Sequence, residues 1–269
     1  YNVQVEATPV IRGRVLNIFN SEQRDLAGEV YMVSEVRGEA VSASLLHMGQ
    51  KQPGYGAHWA GVEEWSRGSA TEVGVTITPL DGGPSRMIIT LSDVLEQFPE
   101  LRCEGGSYVC FHTKWMAFFW MSPDGKRSRN SVLTMDADGS NLALALSPDV
   151  WALGGHHPNW CPNGEDILMN AKPSGDVLRL VQFRYDGSGF KTLSDTMRGS
   201  GHPTLHPDER HVITDCYPSE EGEGATHVPI RWVDLQTDTE TTLVQVPCVP
   251  EFVGAKSELR IDPITSDIT

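Results

Sequence analysis

Two kinds of turn alternate along this chain at a nearly constant interval, and that interval limits the fold more than any other feature. Pro-led turns stand at Ser122-Pro123-Asp124-Gly125, Cys161-Pro162-Asn163-Gly164 and His206-Pro207-Asp208-Glu209. Asp-Gly turns stand at Asp81-Gly82-Gly83, Asp138-Gly139-Ser140 and Asp186-Gly187-Ser188. Proline presets φ for the first kind, and Asp-Gly supplies the positive φ that tight hairpins require in the second. Pro162 to Pro207 is 45 residues and Gly139 to Gly187 is 48. Short β runs flank the turns, such as Asp166-Ile167-Leu168-Met169-Asn170, Leu178-Arg179-Leu180-Val181-Gln182-Phe183 and His211-Val212-Ile213-Thr214-Asp215. The unit is strand, Pro-led turn, strand, longer loop, strand, Asp-Gly turn, strand. Four short antiparallel strands in a unit of this length are the pattern of a propeller blade. The predicted fold is therefore all-β: one β-propeller domain over residues 1–269, with about five to six recognisable four-stranded blades. A two-sheet sandwich is the alternative, and it does not require the fixed register. The best helical pattern is short, Leu91 to Phe98, stopped by Pro99.

Composition narrows the partners. The chain has 269 residues, 39% of them hydrophobic, which is enough for a core and excludes a disordered chain. Its net charge of -15 argues against nucleic acid, whose phosphates call for a Lys- and Arg-rich surface. No apolar run approaches the roughly 18 residues of a membrane span. The first nine residues show neither the basic start nor the apolar stretch of a secretory signal, so either the protein is not exported, with the cytoplasm the favoured location, or its signal is already gone. Five cysteines without a CxxC pair point to reduced thiols rather than a disulfide scaffold.

The register carries the functional signal. His112, His157 and His202 are spaced by 45 and again 45 residues, each in a His-x-x-Trp/Leu element near the Pro-led turn. In a propeller, that position is the entry of a blade's inner strand, so equivalent residues of adjacent blades converge near the axis. Imidazoles gathered there suit metal ligation or proton transfer; the alternative is a structural His bonded to a neighbouring blade. Cys216 ends a strand and is able to turn toward the axis, and a His/His/Cys set suits zinc or another transition metal. His211 and Cys216 are an odd number apart and fall on opposite sheet faces. By the same alternation His156 faces away from His157, and His206 faces solvent. Lys126-Arg127-Ser128-Arg129 is either a solvated turn or a carboxylate clamp. Arg179, Arg184 and Arg231 read as outward strand charges. Among Trp115, Phe118, Phe119 and Trp120, mostly inter-blade core, one is placed to stack on a sugar ring. No GxSxG elbow, P-loop or GxGxxG is present, and no carboxylate pair marks a hydrolase.

Several segments resemble the β-propeller polysaccharide lyases, the oligogalacturonate and ulvan lyases, with TolB-like propellers as wider relatives. They are Phe111-His112-Thr113-Lys114-Trp115, Gly155-His156-His157-Pro158-Asn159-Trp160, Ser200 to Asp208, and Ile213-Thr214-Asp215-Cys216-Tyr217-Pro218. The likeness covers about residues 72–264. It implies β-elimination on a uronic-acid-containing poly- or oligosaccharide, an acidic saccharide partner and a divalent metal, zinc or manganese. It also implies roles. His112, His157 and Tyr217 fall in the catalytic group, with Arg129 as the substrate carboxylate's partner. Lys114, Trp115 and Arg127 fall among the substrate contacts, and His202, Cys216 and His157 around the metal. The sequence departs from the family at Met116-Ala117-Phe118-Phe119-Trp120, where a His-Arg-Trp-like element is usual; and Glu258-Leu259-Arg260-Ile261-Asp262-Pro263 matches the start of another blade, so the family's closing blade is either absent or disordered here, as in an inactive relative or an incomplete chain. A non-catalytic propeller that binds a glycan or protein through its channel face is the alternative.

Overall fold

The computed structural model describes residues 1–6, 8–51, 56–57, 73–101, 108–112, 115–121, 128–222 and 224–248. Among them are five sheets, four of which are four-stranded, with strands in chain order. By internal contacts the chain falls into two compact units, 1–142 and 143–269.

In the first unit, β1 (Asn2–Gln4), β2 (Ile11–Leu16) and β3 (Gln23–Asp25) form a three-stranded antiparallel sheet. Next come β4 (Met32–Ser34), β5 (Glu39–Ser42), α1 (Leu45–Lys51), β6 (Gly74–Pro79) and β7 (Arg86–Thr90), whose four strands form one antiparallel meander. Ala40, Val75, Ile77 and Ile89 are buried in it. The helical pattern at Leu91 is realised as α2 (Leu91–Gln97). Its start is fixed by a capping box: Thr90 Oγ1 accepts from Asp93 N–H (3.1 Å), and Asp93 accepts from Thr90 N–H (2.7 Å). Leu91, Val94 and Leu95 form its buried stripe. A second meander follows in β8 (Tyr108–His112), β9 (Trp115–Met121) and β10 (Ser128–Thr134).

The second unit opens with β11 (Ala143–Leu146) and α3 (Pro148–Ala152), the latter capped by Ser147 with Pro148 at its first position. One blade is β12 (Gly155–Trp160), β13 (Asp166–Ala171), β14 (Arg179–Arg184) and β15 (Lys191–Thr192). The next is β16 (Thr204–Leu205), β17 (His211–Thr214), β18 (His227–Asp234) and β19 (Thr239–Pro247). Each matches the predicted order of strands; the first also has the Asp-Gly turn, and the second has Thr237-Asp238 in its place, with Asp238 at φ 50°. The Pro-led turns are built alike: Asn163 Oδ1 accepts from the N–H groups of Glu165 and Asp166, and Asp208 Oδ1 from those of Arg210 and His211. Gly164 takes φ +70° in the first, and Glu209 takes 56° in the second. In the Asp-Gly turn, Asp186 Oδ1 accepts from both the N–H and the hydroxyl of Ser188 while Gly187 supplies φ +83°.

The two blades share a core of Cys161, Leu168, Leu180, Leu205, Val212 and Val233, closed by Leu193, Met197 and Leu235. At about 1.5–3 kcal/mol per buried aliphatic side chain, this seam is the main force holding blade to blade. Asn159 Nδ2 also donates to Thr204 Oγ1 (3.0 Å) across it. Those two residues are 45 apart, so the bond joins equivalent positions of neighbouring repeats.

Candidate functional site

The site begins with a defect in β12. His156 pairs with Asn170 and Asn159 with Leu168, so His157 and Pro158 together oppose Met169 alone. This is a β-bulge, and His157 sits in it at φ 54°. A left-handed conformation costs a non-glycine residue about 1–2 kcal/mol. The bulge breaks the alternation that would send adjacent side chains to opposite faces. The sequence expectation that His156 faces away from His157 is therefore corrected: the rings lie edge to face, with centroids 4.8 Å apart. Pro158 was the available signal, because proline inside a strand is confined to edges and bulges.

The next blade supplies the second half. Gly201 is left-handed at φ +59°, and a Cβ there would strike the carboxylate and carbonyl of Asp215. The absent side chain lets Asp215 fold back onto the strand entry. Its carboxylate accepts the backbone N–H of His202 (2.6 Å) and the ring Nδ1–H of the same residue (3.0 and 3.1 Å). Asp215 is almost fully buried, with its side chain 2% exposed, and His202 is 18% exposed. Arg231 braces the pair from behind, donating Nη2–H to the Asp215 carbonyl (3.1 Å). Its side chain is only 12% exposed, which corrects the expectation of an outward charge; the cause is this bond. Arg184 does point outward, paired with Glu165.

Tyr217 closes the cluster. Its N–H donates to Glu220 (3.1 Å), and the Ser200 hydroxyl donates to the same carboxylate, tying the Tyr217 turn to the Gly201 loop. A hydrogen bond of 2.6 Å joins the Tyr217 hydroxyl and His157 Nε2. The His157 and His202 rings lie 3.9 Å apart by their centroids, and His156 lies 5.8 Å from Tyr217. Three imidazoles, a phenol and a buried carboxylate thus meet on two adjacent blades. Burial lowers the pKa of His156 from 6.5, so its ring is neutral at neutral pH. An Asp on Nδ1 orients His202 and fixes its ring, which leaves Nε2 as the atom suited to proton transfer. The short phenol–imidazole bond is a path along which a proton moves.

Among the described residues, no group of three or more His, Cys, Asp and Glu is arranged to hold a metal ion. The Cys216 thiol donates to Glu221 (3.2 Å) instead. Burial, with Glu221 alongside, pushes that thiol up to about 12, away from the thiolate a metal binds. Among the described residues, His157, His202 and Cys216 do not form a ligand set of three.

Of the sequence candidates, His157, His202 and Tyr217 come together, while Cys216 turns to Glu221. His112 ends β8 and pairs with Trp115, which starts β9, and Arg129 pairs with Trp120. These are backbone positions in the first unit, and the three side chains lie outside the described residues, as do Lys114 and Arg127. Whether His112 joins the other two histidines falls outside them too. His206 and His211 form a separate surface group on Trp232, with ring centroids 5.1 and 4.6 Å from it. Two residues of the cluster went unread in the sequence, Asp215 and Asn170, and His156 was assigned to the opposite face. Asp215 lies in the quoted Thr214-Asp215-Cys216-Tyr217-Pro218 stretch, but its contact with His202 is made by the left-handed Gly201.

No protein-family model matches the sequence, and no curated protein matches it. Solved structures do. An oligogalacturonate lyase in complex with manganese is 11% identical at a TM-score of 0.51, over 93% of this chain and 62% of that one. A TolB candidate from Agrobacterium tumefaciens is 14% identical at a TM-score of 0.48, over 88% of this chain and 74% of that one. TolB from Acinetobacter baumannii is 13% identical at 0.36, over 64% and 43%. The likeness to the first shows the fold alone: a β-propeller built from four-stranded blades. Among the described residues, no helix is long and apolar enough to cross a membrane.

Proposed function

We propose that this chain is a lyase that cleaves a uronic-acid-containing poly- or oligosaccharide by β-elimination. The observation that supports this is the meeting of two hydrogen-bonded pairs, His202–Asp215 and His157–Tyr217, with their imidazoles 3.9 Å apart. β-Elimination needs one group to take the C5 proton beside the sugar's carboxylate and another to protonate the departing oxygen. His202, oriented by Asp215, takes the proton. The C–H electrons form the C4=C5 double bond, the C4–O bond breaks, and the leaving oxygen receives a proton from Tyr217, which His157 resupplies. His112 belongs to the catalytic group of this proposal, and Arg127, Arg129, Lys114 and Trp115 to its substrate contacts, on the sequence resemblance. The test is incubation with pectate, ulvan and oligogalacturonate while following the ultraviolet absorbance of an unsaturated uronate. Product formation that is lost in His202→Ala and Tyr217→Phe supports the lyase.

The net charge of -15 favours a second reading, in which the site binds a glycan or protein without turnover, because an acidic chain repels a polyuronate. Saturable binding with no unsaturated product would decide for it.

A further inference from the structure

Asn170 is fully buried on β13, opposite His156 on β12, so the two side chains share a face of the blade. Its amino group makes two bonds: to the Gly201 carbonyl (2.8 Å) and to His156 Nδ1 (3.3 Å). Its own Oδ1 is buried with no partner, against Gly199, where any Cβ would crowd it. The amide cannot be reversed, because its oxygen would then face the Gly201 carbonyl, acceptor against acceptor. The side chain therefore contributes through its N–H groups. A donor on Nδ1 makes that nitrogen the acceptor, and a neutral imidazole must then carry its proton on Nε2. Among the described residues, His156 Nε2 has no hydrogen-bond partner.

Asn170 stands 45 residues before Asp215, at the same place in the preceding blade. Asp215 accepts from Nδ1–H of His202, while Asn170 donates to Nδ1 of His156. Equivalent positions thus set two imidazoles of one cluster in opposite tautomers. We propose that Asn170 is a positioning residue that locks His156 in the Nε2–H form and leaves a neutral N–H donor in the cluster, ready for an acceptor oxygen of a bound ligand. The donor's use in elimination rests on the lyase reading above; the tautomer does not.

The test uses the full chain with ¹⁵N-labelled histidine and long-range ¹H–¹⁵N correlation at neutral pH. His156 is assigned by the cross-peaks missing in His156→Gln. The expected pattern is an unprotonated Nδ1 and a protonated Nε2. A proton on Nδ1 overturns the inference, and this measurement needs no variant of Asn170. In Asn170→Leu, similar in size and without a donor, the His156 pattern moves toward a mixture of tautomers. An unchanged pattern in that folded variant overturns the role of Asn170. A chain with the expected tautomer but no unsaturated product refutes the lyase reading and leaves this inference standing.

Discussion

The two blades of the second unit are one design carried out twice, and they differ where chemistry is placed. Position 170 in the first and 215 in the second are equivalent by the 45-residue repeat. The first holds an amide that donates, the second a carboxylate that accepts. The first blade enters its inner strand through a bulge with a strained His157, the second through a left-handed Gly201 beside an unstrained His202. A repeating backbone gathers side chains from distant sequence, and different residues at equivalent places then give the imidazoles different hydrogen-bond partners. Repetition supplies the geometry, and asymmetry supplies the chemistry.

Making the blades alike is the strongest way to break this account. Asp215→Asn gives the second blade the first blade's amide: one of the two acceptor oxygens beside His202 becomes a donor and the negative charge is lost. The expected loss in the rate of unsaturated product formation is about 10²–10⁴-fold; an unchanged rate breaks the contrast. Gly201→Ala places a Cβ against Asp215 in a left-handed conformation. It should cost about 3 kcal/mol of stability in denaturant unfolding. His157→Gly relieves about 1 kcal/mol of backbone strain and loses a hydrogen bond worth about 1 kcal/mol. Its stability should stay near that of the parent while activity falls. His202→Gly gains no such relief and leaves Asp215 with the backbone N–H of residue 202 but without the ring donor, so it should lose about 1–3 kcal/mol.

Protonation offers a finer comparison. Burial lowers the His156 pKa from 6.5. Below 6.5 the unfolded chain then binds the proton more readily than the folded one, so this residue's contribution is present above 6.5 and lost as pH falls below it. Stability against pH should flatten in that range for His156→Gln. The smallest effect lies at the blade's outer hairpin. Asp186→Ala removes the side-chain acceptor for Ser188 and should lower the thermal unfolding midpoint only slightly, because the bond is exposed to water.

The strands and turns were legible because they are local. Asp186-Gly187 and Cys161-Pro162-Asn163-Gly164 state their own dihedral angles, and the runs between them alternate as strands do. His157 and His202 were legible through the repeat. His156 was misplaced because strict alternation was applied across Pro158, where the strand bulges. Asp215 was missed because its contact depends on a glycine fourteen residues earlier taking a left-handed conformation, which composition does not announce. Arg231 was read as an outward charge because a strand pattern does not show the carbonyl it reaches.

The central claim is that the paired groups on these two blades transfer protons in an elimination. It is tested most directly by following unsaturated uronate formation on oligogalacturonate, pectate and ulvan with the parent chain, Asp215→Asn and Tyr217→Phe side by side. The account predicts product from the parent on at least one of the three and a collapse of the rate in both variants, with their folds intact. No product from the parent on any of them, or equal rates in all three proteins, would contradict it.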